Sequence, residues 1–242
     1  IPWLLVRKPL PPIVVATERC TGCTLCEADC PYKAISMVAR TDDSKHKFLA
    51  VIDPHLCVAC GVCVGSCPPL ALSLHGRPPE ALWEETVARS PGAKVVFTCE
   101  RHAFQGARAW VAASSADVQV IPMTCIGMAH PDLAARALEA GAREVQFVGC
   151  PGEDCANREG NVWLEQRLAR VRKPKLRLAY AEAPISTAWV APNEFTSADA
   201  TKQGRATAYG FALTKANWRS LLPGVVLLGL VLAGQIWLSD VP

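Results

Sequence analysis

The chain has 242 residues, 50% of them apolar, and a net charge of only +3. A charge this small does not suggest the basic surface that nucleic-acid-binding proteins use, so we expect no nucleic-acid partner. The length allows one or two modest domains with linking segments.

The composition is unusual in having twelve cysteines. Eight of them fall in two tight runs whose members are mostly three residues apart, too close for most to pair as disulfides within a run. The sequence also shows no recognisable N-terminal signal peptide. Both features favour a reducing, cytoplasm-like compartment over a secreted, disulfide-bonded protein.

Residues 1–12 join a short apolar stretch to a basic, proline-rich one. This N-terminal arm is interpreted either as a disordered or packed arm or as the end of a membrane segment with Arg7 and Lys8 at the cytoplasmic surface.

Residues 13–75 hold the two cysteine runs, which repeat with a period of 37 residues. Each run ends in Cys-Pro, and short apolar strands are predicted around the runs at Ile13–Ala16, Phe48–Ile52 and Ala71–Leu74. A cysteine run of this spacing is typical of a 4Fe–4S site, and its fourth cysteine ligates the other cluster in two-cluster proteins. The first predicted ligand set is Cys20, Cys23, Cys26 and Cys67, and the second is Cys57, Cys60, Cys63 and Cys30.

Zinc sites and disulfides are the alternatives for these eight cysteines. Zinc ribbons use separated pairs of cysteines, so two fourfold runs favour two 4Fe–4S clusters. The region resembles the bacterial two-cluster ferredoxin, which implies an α+β ferredoxin-like domain. It departs from that pattern at Met37–Lys47, a polar insertion that we expect to lengthen a loop.

Residues 76–93 are predicted to be a linker with a short helix near Pro79–Arg89, and residues 94–183 a small parallel α/β domain. A further strand is considered at Leu176–Ala181. The predicted strands are Lys94–Cys99, Val118–Cys125 and Val145–Cys150, and the predicted helices are Phe104–Ala113, Pro131–Ala140 and Asn161–Val171.

The four remaining cysteines lie in this second domain. Cys99, Cys125 and Cys150 each end a predicted strand, and the carboxyl ends of parallel strands open onto one crevice. Cys155, in a Gly/Pro-rich loop, can fold back to join them. Four cysteines suit one 2Fe–2S cluster; buried apolar cysteines, a zinc site and a Cys150–Cys155 redox disulfide remain alternatives.

Residues 94–172 resemble the delta subunit of methyl-viologen-reducing hydrogenase. The segments that carry the resemblance include Phe97-Thr98-Cys99, Met123–Met128 and Val148–Cys155. The resemblance implies a 2Fe–2S cluster and electron transfer between a hydrogenase or formate dehydrogenase and a flavin-containing partner. Where the family commonly has Cys-x-x-Cys, this chain has Cys99-Glu100-Arg101-His102, so His102 is an alternative ligand.

A basic cluster follows near the end of the last predicted helix. We interpret it as a solvated surface, with an acidic partner or anionic lipid as alternative contacts. Its members are Arg167, Arg170, Arg172, Lys173, Lys175 and Arg177.

Residues 184–220 are predicted to be a linker with an interfacial segment, and residues 221–238 form an apolar run of 18 residues. That length meets the lower bound for a membrane-spanning helix. Lys215 and Arg219 precede it and only Asp240 follows, which predicts that the iron–sulfur domains lie on the cytoplasmic side.

Taken together, these features predict a membrane-anchored iron–sulfur electron-transfer subunit. Its expected partners are a flavin- or metal-containing dehydrogenase module, a quinone- or haem-binding membrane subunit and the lipid bilayer. Two alternatives remain: a heterodisulfide-reductase-like or hydrogenase subunit with its own thiol chemistry at Cys150 and Cys155, and a membrane-bound redox sensor or assembly factor.

Overall fold

The computed structural model describes residues 13–100 and 117–191. Several predictions lie outside these residues: the N-terminal arm 1–12, His102, the helix at 104–113, most of the linker after residue 183, and the membrane helix at 221–238.

Residues 13–75 fold as two similar halves that exchange strands. β1 pairs antiparallel with β4, so that Ile13 faces Leu74, and β2 pairs antiparallel with β3, so that Ile35 faces Ile52. The first half contains β1 (Ile13–Val15), α1 (Leu25–Ala28) and β2 (Ile35–Ala39). The second half contains β3 (Phe48–Ile52), α2 (Val62–Gly65) and β4 (Leu72–Leu74).

The 37-residue period of the sequence reappears in the backbone. Three pairs of residues related by this period share a left-handed conformation, which only glycine adopts without a steric penalty. In one pair the first residue is glycine, in another the second residue is glycine, and in the third pair neither is. The loop geometry therefore imposes the conformation whatever the side chain. The pairs are Gly22 with Ala59, Thr24 with Gly61, and Lys33 with Leu70.

The polar insertion Met37–Lys47 extends a hairpin and leaves the cysteine loops unchanged. β2 runs into it as far as Ala39, and β3 begins immediately after it at Phe48. The guanidinium of Arg40 fastens the hairpin tip to the first cysteine loop by donating to the carbonyl oxygens of Cys20 and Thr17.

The predicted parallel α/β domain is confirmed. α3 (Pro79–Arg89) precedes a four-stranded parallel sheet with the order β6-β5-β7-β8. The central strands are buried, and Phe97 stacks on Phe147 with ring centroids 5.1 Å apart. The sheet contains β5 (Lys94–Cys99), β6 (Val118–Met123), β7 (Glu144–Gly149) and β8 (Ile185–Trp189); the helices beside it are α4 (Asp132–Glu139) and α5 (Gly160–Leu168).

The end of this domain corrects two predictions. The strand considered at Leu176–Ala181 is wrong, because Leu178–Tyr180 forms a short 3-10 helix with Leu178 exposed. The fourth strand is Ile185–Trp189, inside the segment predicted as linker. Among the described strands, β8 pairs with β7 alone and its residues are mostly half-buried, so it lacks the continuous apolar run of a buried strand.

The two domains meet at a buried ion pair. Arg167 of α5 has a side chain with no exposed surface, and its guanidinium donates to Asp29 Oδ2 at 2.9 Å and to the Gly127 carbonyl at 3.0 Å. It also contacts Ser66 Oγ, and the Ser66 hydroxyl donates to Asp29 at 2.6 Å. Asp29 and Ser66 are one 37-residue period apart, so Arg167 joins the two halves of the first domain to the second domain.

This arrangement shows that the basic cluster is not a purely solvated surface. Arg167 is completely buried, Arg172 pairs with the opposite oxygen of Asp29, and Arg177 pairs with Asp132 and Glu139. The sequence pattern could not reveal this, because the acidic partners lie far away along the chain.

Replacing Asp29 by asparagine should lower the free energy of unfolding by about 3 kcal/mol, because the charge of Arg167 would stay buried without a counter-ion. Burial alone would raise the pKa of Asp29, yet hydrogen bonds from Arg172, Ser66 and Arg167 lower it. The carboxylate's contribution is therefore complete above the unfolded-state pKa and is lost only as pH falls through the folded-state pKa. Denaturant unfolding should show a constant difference from the wild type between about pH 6 and about pH 9.

Asp42→Asn is the matched control, since Asp42 pairs with Arg40 but is 52% exposed. It should change stability little, as is usual for an exposed pair. Equal losses in the two variants would contradict a special role for Asp29.

Candidate iron–sulfur and thiol sites

The cysteines of the first run lie beside one cysteine of the second run. Burial, followed by the charges of three neighbouring cysteines, raises the pKa of the Cys26 thiol to about 12. These neighbours are Cys67, Cys23 and Cys20. The structure therefore brings together the four residues predicted as the first ligand set.

The second run is arranged in the corresponding way, beside one cysteine of the first run. Cys63 is buried, and burial raises the pKa of its thiol well above the usual value. The charges of four neighbouring cysteines raise the pKa of Cys63 further, and these are Cys60, Cys26, Cys57 and Cys30. Three of these four are the other members of the second predicted set, and Cys26 belongs to the first set, so the two groups are neighbours.

The fourth cysteine of each run is held in the same way. The Ala34 amide donates to Cys30 Sγ at 3.3 Å, and the Ala71 amide donates to Cys67 Sγ at 3.2 Å. Such amide–sulfur bonds partly neutralise a thiolate and tune an iron–sulfur cluster. Burial raises the pKa of five of these eight thiols, and bound iron would offset that effect by stabilising the thiolates. The five are Cys26, Cys57, Cys60, Cys63 and Cys67.

The third group lies at the carboxyl edge of the parallel sheet. Cys99 ends β5, the central strand of the three, while Cys125 and Cys150 follow its neighbours β6 and β7. Cys125 and Cys150 each hydrogen-bond to Cys99 on one side and to Cys155 on the other. The four thiols therefore form a ring at this edge, where the strand order places Cys99 between Cys125 and Cys150.

Within this ring Cys155 has the most stable thiolate. Hydrogen bonds, first from Cys125 and then from Cys150, lower the pKa of Cys155 to about 2. The same hydrogen bonds raise the pKa of the thiols that donate them, and the pKa of Cys125 is raised to about 12. Cys155 is also half-buried, whereas the other three are buried.

Two residues of α5 shape the ring. The side-chain amide of Asn161 donates to the carbonyl oxygens of Cys150 and Pro151, at 3.0 and 3.1 Å, and so supports the loop that leads to Cys155. A Cβ on Gly160 would lie 2.9 Å from Cys125 Sγ, so only glycine fits beside that thiol. Neither residue was a predicted site residue, although the Gly160-Asn161 pair is part of the hydrogenase-delta resemblance.

The alternatives for these cysteines can be weighed on geometry. All twelve are free thiols, so no Cys150–Cys155 disulfide is present. Within residues 13–100 and 117–191, no group of three or more His, Cys, Asp or Glu side chains is arranged to hold a metal ion.

Tyr32 occupies the space between the second and third groups and was missed by sequence reasoning. Its hydroxyl donates to Asn157 Oδ1 at 3.1 Å, and the Arg158 guanidinium lies 5.6 Å from its ring centroid. Burial, and then the charge of Cys60, raises the pKa of Tyr32, which keeps the hydroxyl protonated as a donor. A tyrosine after Cys-Pro carries no signal by itself, because its partners lie about 125 residues further along the chain.

Comparisons with known proteins agree with the two-domain structure. Residues 19–71 match the family described as 4Fe-4S dicluster domain, and residues 95–204 match the family described as methyl-viologen-reducing hydrogenase, delta subunit. No curated protein matches the chain. None of the helices in the described residues is long and apolar enough to cross a membrane.

The chain therefore carries a 4Fe–4S dicluster ferredoxin domain followed by a domain like the hydrogenase delta subunit. Together the two matches support an iron–sulfur electron-transfer subunit with a role in a multi-subunit redox complex.

Replacing Gly160 by alanine should push Cys125 out of the ring and cost about 1–3 kcal/mol, because the new methyl group has no space. Gly152→Ala is the matched control, since a Cβ there meets nothing within 4 Å. Denaturant unfolding and the visible absorption of the purified protein should both change in the first variant and stay unchanged in the second. An unaltered Gly160→Ala protein would show that Cys125 is not held against this glycine.

Proposed function

We propose that this protein is a membrane-anchored relay subunit with two 4Fe–4S clusters and one 2Fe–2S cluster. Cys20, Cys23, Cys26 and Cys67 would hold the first 4Fe–4S cluster, and Cys57, Cys60, Cys63 and Cys30 the second. Cys99, Cys125, Cys150 and Cys155 would hold the 2Fe–2S cluster. When bound, each cluster supplies one-electron redox chemistry, and the chain supplies its position, burial and hydrogen bonds.

The observation that carries the proposal is that the twelve cysteines form three groups of four. Each group joins residues that are distant in sequence, and groups of four match the ligand inventories of the two cluster types. The ring at the sheet edge supports a 2Fe–2S site, because Cys99 and Cys155 each lie beside both Cys125 and Cys150.

The partners would be a flavin- or metal-containing dehydrogenase or hydrogenase module on one side and a quinone- or haem-binding membrane subunit on the other. The apolar run at 221–238, with Lys215 and Arg219 before it, would anchor the chain with its iron–sulfur domains in the cytoplasm.

The ring also supports a second function, thiol–disulfide chemistry at Cys150 and Cys155. The observation that favours this second function is the lowered pKa of Cys155, since a half-buried stabilised thiolate is a feature of reactive cysteines. Cluster ligation requires the same thiolate, so metal content separates the two functions.

Anaerobically purified protein should contain about ten irons per chain, with the EPR signals of both cluster types after reduction. Cys125→Ser should remove the 2Fe–2S signal and leave the 4Fe–4S signals, because the two domains have separate ligands. About eight irons, no 2Fe–2S signal and a reducible Cys150–Cys155 disulfide would instead favour the thiol function.

The full chain should stay in the membrane fraction after an alkaline carbonate wash. Leu230→Arg should shift it toward the soluble fraction, because a charge near the centre of a membrane helix costs about 3 kcal/mol on insertion. Leu230→Val is the matched control and should remain bound. A wild-type chain that washes off membranes would refute the anchor.

A further inference from the structure

Members of the second and third cysteine groups pack into one cluster at the domain interface. Cys60 and Cys125 belong to one small buried cluster with Val62 and Trp163, and Tyr32 and Cys155 pack against it. One ligand loop of the ferredoxin domain therefore lies directly beside the thiol ring of the α/β domain.

Glycines keep these two loops close. A Cβ on Gly61, the residue after Cys60, would lie 2.9 Å from Met128 Sδ, and a Cβ on Gly65 would lie 2.4 Å from the Gly127 carbonyl oxygen. Gly127 and Met128 belong to the 3-10 helix Ile126–Met128 that begins immediately after Cys125. Larger side chains at these glycines would separate the loops.

Tyr32 ties the same loops together by a hydrogen bond. It lies two residues after Cys30, and its acceptor Asn157 lies two residues after Cys155. Its hydroxyl is close enough to the two sites that the charges of Cys60, Cys125 and Cys155 all act on it. The side chain thus fills the gap between the second group and the ring.

The first group neighbours the second group, and the charges that act on Cys26 come from its own group, not from the ring. Cys26 acts electrostatically on Cys63, and Cys23 is exposed to solvent between the exposed Thr21 and Thr24. One end of the series of sites therefore reaches the protein surface at Cys23.

We propose that the three sites form a linear series in the order first group, second group, ring, and that Tyr32 is the positioning residue that sets the separation of the last two. This inference rests on the proposed function, since it concerns the spacing of the clusters that the chain would hold. One electron crosses between neighbouring sites: the donor site is oxidised by one electron, the acceptor site is reduced by one, and no bond breaks and no proton moves.

The order is tested by EPR relaxation of the ring's 2Fe–2S signal. A fast-relaxing paramagnet nearby speeds that relaxation, and the effect falls steeply with distance. The relaxation should become faster when the 4Fe–4S sites are reduced. Cys57→Ala, which disables the second group, should abolish the acceleration, and Cys20→Ala, its equivalent in the first group, should leave most of it. The reverse result would overturn the order.

The wild-type protein provides a test without cysteine variants. During a stepwise reductive titration, the relaxation should accelerate in step with reduction of one 4Fe–4S signal only. Acceleration that follows both signals equally would overturn the linear order.

Tyr32→Phe tests the positioning role, because it removes the hydroxyl bonded to Asn157 and keeps the ring. The acceleration should weaken while the iron content stays the same. Tyr180→Phe is the matched control, since its hydroxyl bonds to the exposed Glu139 and should have no effect. Unchanged coupling in Tyr32→Phe would overturn the role of its hydroxyl.

Gly61→Ala provides a second and independent test. Gly61 and Gly76 share a φ of +76°, so alanine introduces the same backbone strain at both positions. Only the Cβ at Gly61 would press on Met128, so only Gly61→Ala should weaken the coupling. Equal behaviour of the two variants would contradict the close approach of the loops.

The iron content and the EPR signals distinguish an error in the order of the sites from an error in the proposed function. If the 2Fe–2S signal is absent or the iron content is about eight per chain, the three-cluster relay itself is wrong. If all signals are present but neither Cys57→Ala nor Tyr32→Phe changes the relaxation of the 2Fe–2S signal, the three-cluster relay stands and the proposed order is wrong.

Discussion

The Arg167 guanidinium is completely buried at the junction of the two domains, and the carboxylate of Asp29 provides its counter-charge. A buried charge without a partner would cost several kcal/mol, so the pair can exist only when both domains are folded and docked. Asp29 belongs to one half of the ferredoxin domain, Ser66 to the other half, and Gly127 to the sheet domain. Each of the three must be correctly placed for the two terminal nitrogens of the guanidinium to be hydrogen-bonded, which makes the docking geometry specific.

This specificity matters because the cysteine groups lie around the same junction. Gly65 lies against Gly127, Gly127 against Gly160, and Gly160 against Cys125, with no space for a Cβ at any of these contacts. The backbone of the ferredoxin domain can thus approach the ring as closely as backbone atoms allow. An electron-transfer protein benefits from such packing, since the rate of transfer falls steeply with distance while no other chemistry is required of the chain.

Burial shapes the electrostatics of all three cysteine groups. It is the largest cause of the raised pKa of several thiols, among them Cys26, Cys63 and Cys67, so the neutral form of these thiols is preferred until cations are present. Iron would reverse that preference, and the amides of Ala34, Ala71 and Ile126 already point at sulfur atoms. The sites are consequently organised for anionic sulfur bound to metal, with Cys155 as the member most ready to ionise.

The sequence by itself determined what is local or periodic. The 37-residue repeat, the cysteine loops, the buried strands and the convergence of Cys99, Cys125 and Cys150 follow from short spacings and from the common edge of parallel strands. Only the tertiary structure decided the rest. β8 is an edge strand without a buried apolar run, and its pairing with β7 depends on long-range contacts. The burial of Arg167, the bond from Tyr32 to Asn157 and the buried cluster that contains both Cys60 and Cys125 join residues that are distant in sequence. Such contacts have no local signature, because they exist only when two separately formed domains bring complementary shapes and charges together.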